Sequence, residues 1–294
     1  MSAVFLFLSY MLPATALLGL HDVLTRKTLK TGVHEQFLLG VTLLCSGFCQ
    51  LLAALAFGFS DLSEGFWFAF AVSLVLNIFG QLFWYRAFKR EEASTIAPLR
   101  LLTPPLVLIS GFLILGEAPT LGGITGVGII VLGFWWFFYG EARYDHLLLR
   151  TFFTKPGVLW GLLGAVFFAA SFPFDKRAVL ASSALTFGGL IFLSIGASSL
   201  LLWYIAAPMR DFKAQWYKVV RALPLFVATH AIGVVLSLEA LKYAFAAYAV
   251  SVKRLSALWA VIFSGLLLKE SNITHKLTAT AVILAGIVVM ILWG

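Results

Sequence analysis

Three cations, Arg100, Lys253 and Arg254, fall inside stretches of sequence that are otherwise apolar enough to be buried. A cation in hydrocarbon costs at least about 2.5–3.5 kcal/mol even on lenient insertion scales. Each therefore needs a partner, an escape route or a ligand. A guanidinium fork suits carboxylate or phosphate, and low dielectric strengthens that attraction while desolvation opposes it. Arg100 and Lys253 both lie about seven residues into their runs, roughly 10 Å along a helix axis at 1.5 Å per residue. At helical spacing Arg100 shares a stripe with Thr103, Pro104, Val107 and Gly111, and Lys253 shares one with Ser256, Ala257 and Ala260. These small or polar stripes suit a cavity wall or close helix packing. Pro98, Pro104 and Pro105 can bend or free backbone beside Arg100. Three readings stand: the cations hold an anionic ligand, they snorkel to the interface, or they pair structurally with Glu92, Glu117, Glu239 or Glu270.

Other polar groups share the same apolar runs. Asn77 and Gln81 are one turn apart, and His230 and Ser237 are two turns apart. Such groups either line a water-filled site or hydrogen-bond between helices. His230 could also carry a coupling proton, since histidine titrates near neutral pH. His21, Asp22 and Asp175 fall at the ends of runs and read as gate or interface contacts, with a ligand role as the alternative. Glu117 and Glu270 close two runs and read as structural end residues, with proton coupling as the alternative. Trp84, Tyr85, Tyr243, Tyr248 and Trp259 could stack on a ligand or form an interfacial belt; Tyr248, five residues before Lys253, is the candidate kept for the site. Cys45 and Cys49, the two cysteines, sit four apart on one helical face and read as small core residues.

The elements that must position these groups follow from hydropathy. The 294 residues are 61% hydrophobic and 12% charged, about half the charge of a typical soluble domain. Apolar runs recur at about 4–24, 36–58, 65–86, 93–116, 121–140, 157–175, 185–207, 221–242, 247–268 and 274–293. A run of about 20 residues crosses a bilayer core as a helix, so the fold class is all-α integral membrane with ten transmembrane helices. Short alternating segments, the mark of a β-barrel, do not occur. The longest connections, 140–156 and 208–220, leave no room for a soluble catalytic domain. The first run lacks a basic leader and a small-residue cleavage site, so it reads as the first helix and not as a signal peptide.

The chain reads as two repeats. GEAPTLGGITGVGIIVLG (116–133) and KESNITHKLTATAVILAG (269–286) each close one run and open the next. Aligning Glu117 with Glu270 sets an offset that also pairs Lys89 with Lys242, Gly80 with Gly233, Asp22 with Asp175 and Asn77 with His230. It places Arg100 on Lys253. The expected organisation is a first five-helix repeat over 1–140, a cytoplasmic linker at 141–156 and a second five-helix repeat over 157–294. Five helices are an odd number, so the second repeat must enter the membrane from the opposite side. Charge agrees. Of the 21 Lys and Arg residues, all but six lie in the connections that follow odd-numbered helices; the six are Lys176, Arg177, Lys242 and the three cations inside runs. Positive residues favour the cytoplasm, which puts both termini on the non-cytoplasmic side. Inverted repeats of this kind are a transporter signature, with the substrate site near the midplane between them.

Two stretches carry a family resemblance: APLRLLTPPLVLISGFLILGEAPTLGGITGVGIIVLG (97–133) and AVSVKRLSALWAVIFSGLLLKESNITHKLTATAVILAG (249–286). The sequence resembles the drug/metabolite transporter superfamily, in its ten-helix EamA-like branch. The resemblance covers essentially the whole chain and implies alternating access by an exporter or exchanger in a cell membrane, the bacterial inner membrane. Val252–Arg254 is similar to the Lys-Arg pair of the triose-phosphate and related phosphate translocators, where that pair holds substrate phosphate. By that resemblance Lys253 and Arg254 become anion ligands.

Taken together, the sequence favours a secondary-active transporter of a small anionic metabolite, phosphorylated or carboxylated, bound between the fourth and ninth helices. The alternative is an exporter of amino acids or amphiphilic drugs whose buried cations are structural. An intramembrane enzyme would need a Ser/His pair, an H-E-x-x-H or an acidic metal cluster, and the five histidines are scattered. A channel would need no inverted repeats and would show a filter loop or charge rings. No ATP-binding motif is present, so transport would draw on a coupling proton or a counter-substrate. No cofactor, metal or nucleic-acid partner is expected, and ten helices can form a carrier as a monomer or a homodimer within the lipid bilayer.

Overall fold

The computed structural model describes residues 3–116, 120–141, 155–206, 212–244, 246–269 and 273–293. Among them the chain is all helical. The helices that correspond to the ten apolar runs are α1 (Ala3–Leu29), α2 (Glu35–Phe57), α3 (Phe66–Arg90), α4, α5 (Leu121–Glu141), α6 (Pro156–Leu180), α7 (Ala184–Ala206), α8 (Leu223–Ala240), α9 and α10 (Ile273–Trp293). Helix α4 comes in three pieces: Ala93–Ile96, a tighter 3-10 stretch Ala97–Leu102, and Thr103–Leu115. Helix α9 comes in two, Ala246–Lys253 and Leu255–Leu268. Six of the described helices are long and apolar enough to cross a bilayer unaided.

Several boundaries depart from the sequence reading for identifiable reasons. Helices α1, α3 and α6 run past the apolar stretch to Leu29, Arg90 and Leu180. Their last turns carry Arg26 and Lys27, Lys89 and Arg90, and Arg177; cations there suit the negative end of the helix dipole, so the polar sequence continues the helix. Asp22 and Asp175, expected at helix ends, therefore lie within α1 and α6. The connection 208–220 holds a short helix, Phe212–Val219, whose Phe212 ring packs edge-on to Phe37 of α2. Cys49, expected in the core, is exposed, and Cys45 is partly buried.

Helix packing obeys a two-fold rule. The main contacts join α2 to α7, α5 to α10, α3 to α6, α1 to α8, α1 to α9 and α4 to α6. Exchanging each helix with the one five places along maps α2·α7 and α5·α10 onto themselves. The same exchange turns α3·α6 into α8·α1, and α1·α9 into α6·α4. The internal repeat of the sequence is thus a repeat of packing. The self-paired contacts are tight because glycine lets backbones approach. A Cβ on Gly47 of α2 would meet the backbone of Leu193 and Gly189 in α7, and one on Gly286 of α10 would meet the Gly126 carbonyl in α5.

One end of the bundle is cross-tied by charge. The Arg26 guanidinium donates to the carbonyls of Phe88 and Lys89 at 2.7 and 3.0 Å, closing the C-terminus of α3. Lys89 meets Glu35 at 2.6 Å, and Lys276 meets Glu92 at 2.8 Å. Lys276, counted from sequence as a loop residue, lies inside α10 and is 0% exposed. At the opposite end Ser63, before α3, donates its backbone N–H and its hydroxyl to the Ala181 carbonyl after α6.

Candidate functional site

The breaks in α4 and α9 set the site. In α4 Pro98, Pro104 and Pro105 cannot donate backbone hydrogen bonds, and Arg100 sits in the 3-10 stretch they bracket. In α9 there is no proline; the chain tightens at Arg254, where Ala257 N–H bonds the Arg254 carbonyl three residues back at 2.9 Å. Helix interruptions are tolerated at membrane depth where they are buried in protein or line a cavity. Here they do: Arg100, Lys253 and Arg254 line one chamber enclosing about 920 Å³ of empty space, open side included. Toward the cross-tied end its lining stops at Asp22 and Tyr85. In the other direction it reaches Phe187, near the start of α7, and Leu238, near the end of α8.

The sequence-predicted residues Asn77, Gln81 and His230 line this chamber, as do Asp22 and Asp175. All three polar pairs set by the repeat offset, Asp22 with Asp175, Arg100 with Lys253 and Asn77 with His230, thus face one hollow. The small stripe beside Lys253 does not line it beyond Ser256: Ala257 and Ala260 are buried, and Gly19 of α1 lies so close that an added Cβ would meet the Ser256 carbonyl and Ala260 N. Glu117 and Glu270 lie outside the described residues. Tyr248 is part of α9, and its side chain is likewise outside the description. Glu92 and Glu239, offered as partners for the cations, pair elsewhere, with Lys276 and Lys242.

The charges are not used symmetrically. Arg100 Nη1 donates to both oxygens of Asp22, at 3.0 and 2.8 Å. Its guanidinium carbon lies over the Trp84 ring, 4.1 Å from the centroid. Arg100 thus has a carboxylate partner and a cation–π seat while lining the chamber, and its partner is an aspartate that sequence reading placed at a helix end. Asp175, the counterpart of Asp22, instead accepts hydrogen bonds from Ser73 Oγ at 2.5 Å and Asn77 Nδ2 at 3.1 Å, both on α3. Lys253 and Arg254 form no ion pair and no side-chain hydrogen bond among the described residues. Arg254 is only 5% exposed, and its Nε is buried without a partner.

Two histidines complete the polar surface. The His21 and His230 rings lie 5.1 Å apart, and His230 meets Phe192 edge-on at 4.8 Å. Tyr85 Oη approaches His21 Nε2 at 3.4 Å, and His230 Nδ1 is buried without a partner. The rest of the wall is apolar, chiefly Phe168, Phe172, Phe187 and Phe192. Sequence reasoning missed Ser73, Trp84 as the seat of Arg100, and this phenylalanine wall. Ser73 had a signal, one turn before Asn77 on the same face; the phenylalanines had none among 28 in the chain.

Chemically, the arrangement offers two cations without ion-pair contacts among the described residues and one oriented carboxyl, in a hollow with aromatic walls. Such a hollow can bind an acid-bearing organic molecule, with guanidinium and ammonium as donors. Among the described residues no group of three or more His, Cys, Asp or Glu is placed to hold a metal ion.

Comparisons with known proteins agree with this architecture. A crystal structure of a protein 16% identical in sequence superposes with a TM-score of 0.71, over 99% of this chain and 96% of that one; at that identity the likeness speaks for the fold. No curated protein matches the sequence significantly. The sequence matches the EamA-like transporter family twice, over residues 5–139 and 155–292. With two family units packed about a pseudo-two-fold and apolar helices throughout, the chain is a multi-pass membrane protein that belongs to the EamA-like transporter family.

Proposed function

We propose that the chain is a secondary-active carrier of a small organic metabolite bearing a phosphate or carboxylate, moved by alternating access in export or exchange. The acid group sits between α4 and α9 on Lys253 and Arg254. One observation carries the reading: a guanidinium 5% exposed, lining the chamber, with no carboxylate in ion-pair contact with it among the described residues. A buried charge left unpaired is expensive, so a site that keeps one is built for an anion that arrives. Asn77, Gln81 and His230 complete the wall, and Asp22 with Arg100 forms a seal at the cross-tied end. The units 1–140 and 157–294 rock against each other about a cytoplasmic linker at 141–156. Both termini lie on the non-cytoplasmic side of a bacterial inner membrane, and a proton or counter-substrate supplies the drive.

A second reading, carriage of a neutral or amphiphilic molecule with structural cations, is favoured by one observation, the Asp22–Arg100 pair. It accounts for Arg100 and leaves Lys253 and Arg254 without a role. Binding to detergent-purified protein separates the two. Phosphorylated or carboxylated compounds should raise the melting temperature of the wild type and lose that effect in Arg254→Gln. Stabilisation by neutral amphiphiles alone would overturn the acid-cargo reading.

A further inference from the structure

The two-fold supplies two carboxylates at equivalent places, and only one of them is spent. Asp22 is neutralised by Arg100 at 2.8 Å. The offset that pairs Asp22 with Asp175 also pairs Ser73 with Phe226 and Asn77 with His230. Helix α8 therefore has no hydroxyl or amide where α3 has two, and the two carboxylates meet different surroundings. On the α3 side both donors go to the same atom: Ser73 Oγ and Asn77 Nδ2 each bond Asp175 Oδ1. The Ser171 hydroxyl, which bonds the Phe168 carbonyl at 3.0 Å, also reaches the Asp175 carboxyl. Lys253, the counterpart of Arg100, acts on Asp175 through space and makes no ion-pair contact with it among the described residues. Two donors on one oxygen orient the carboxyl, on a residue that lines the chamber.

The chamber thus presents two cations without an ion-pair contact among the described residues, Lys253 and Arg254, and one carboxyl acceptor, Asp175. We propose that Asp175 holds an ammonium group of the cargo, so that the carrier takes an aminated metabolite with two acid charges, a phosphate monoester or a dicarboxylate bearing one amine. The proposal rests on the acid-binding reading above and sharpens it. Two negative charges and one positive complement the chamber charge for charge, and burial penalises any charge left over. A plain dianion would satisfy the cations and leave Asp175 facing it, a like-charge contact that discriminates against that cargo. An amine without an acid would find Asp175 but would meet two repelling cations.

The test uses full-length detergent-purified protein and matched sets of compounds. One set is O-phosphoethanolamine, ethyl phosphate and ethanolamine; the other is L-aspartate, succinate and β-alanine. In at least one set the aminated dianion should bind at least tenfold tighter than either truncated compound. Asp175→Asn should raise its Kd at least tenfold and leave the amine-free acid within about threefold. Equal binding of the amine-free acid in both sets overturns the role of Asp175 and leaves the acid-binding reading in place. Binding by none of the acid-bearing compounds removes both. The wild-type comparison stands even where Asp175→Asn fails to fold, and a preference for the amine that survives Asp175→Asn also overturns the assignment.

Discussion

Arg100 Nη1 reaches both oxygens of Asp22, whereas Lys253, at the equivalent place in the second repeat, makes no ion pair with the equivalent Asp175. A bundle that repeats its helices has not repeated its charges. The difference traces to α3 and α8: Ser73 and Asn77 occupy Asp175, and no such donors from α8 reach Asp22. Arg100→Ala should therefore leave a nearly buried carboxylate alone and destabilise the protein by about 3–5 kcal/mol. Asp22→Asn combined with Arg100→Ala should recover much of that loss. Thermal melts of the two single variants and the double variant check this; strictly additive losses would contradict the pair.

Arg254 should behave with the opposite sign. Among the described residues it has no hydrogen-bond or ion-pair partner to abandon, so Arg254→Gln or Arg254→Met removes a buried charge that no contact compensates. Stability in the absence of ligand should hold or rise by about 1–2 kcal/mol, while the affinity for an acid-bearing cargo falls at least tenfold. Melting temperatures measured with and without O-phosphoethanolamine separate the two effects. A large loss of stability in the ligand-free variant would mean that Arg254 is structural.

The tight contact between α2 and α7 gives a prediction independent of the chamber. Gly47→Leu must push α2 away from the backbone of Leu193 and Gly189. Overpacking of this kind costs about 1–3 kcal/mol. Gly128→Ala, where an added Cβ meets nothing within 4 Å, should stay within about 0.5 kcal/mol of the wild type or gain slightly. Denaturation of the two variants side by side is the check.

Orientation can be read by labelling. With Cys45 and Cys49 changed to alanine, Asp61→Cys, in the exposed connection between α2 and α3, should react with an impermeant maleimide added outside whole cells. Lys30→Cys, exposed after α1, should react only once the cells are opened. The reverse pattern would place the cross-tied end outside, against the charge bias.

The general plan was legible from sequence because hydrocarbon permits few solutions: apolar runs become helices, and an offset shared by Asp22 and Asp175, Arg100 and Lys253, and Asn77 and His230 becomes a two-fold around one chamber. Which charges pair was not legible. Glu92 was a reasonable partner for Arg100, yet it meets Lys276, a residue whose neighbours in sequence read as a loop. Asp22 was hidden as a partner because α1 outlasts its apolar stretch, carried on by a last turn that holds Arg26 and Lys27. The break at Arg254 had no proline to announce it, in contrast to α4, where Pro98, Pro104 and Pro105 did. The phenylalanine wall was invisible for another reason: in a membrane protein an aromatic that faces lipid and one that faces cargo look alike in composition, and only packing separates Phe192 from Phe68.

In the proposed function the cargo brings the counter-charge that Lys253 and Arg254 lack among the described residues. Counterflow in proteoliposomes tests it most directly: vesicles loaded with a phosphorylated or carboxylated metabolite that binds the purified protein should accumulate the labelled compound from outside in the wild type. Uptake should fall at least tenfold in Lys253→Gln and in Arg254→Gln, with both variants folded. Undiminished, saturable counterflow in the double variant Lys253→Gln/Arg254→Gln would contradict the account.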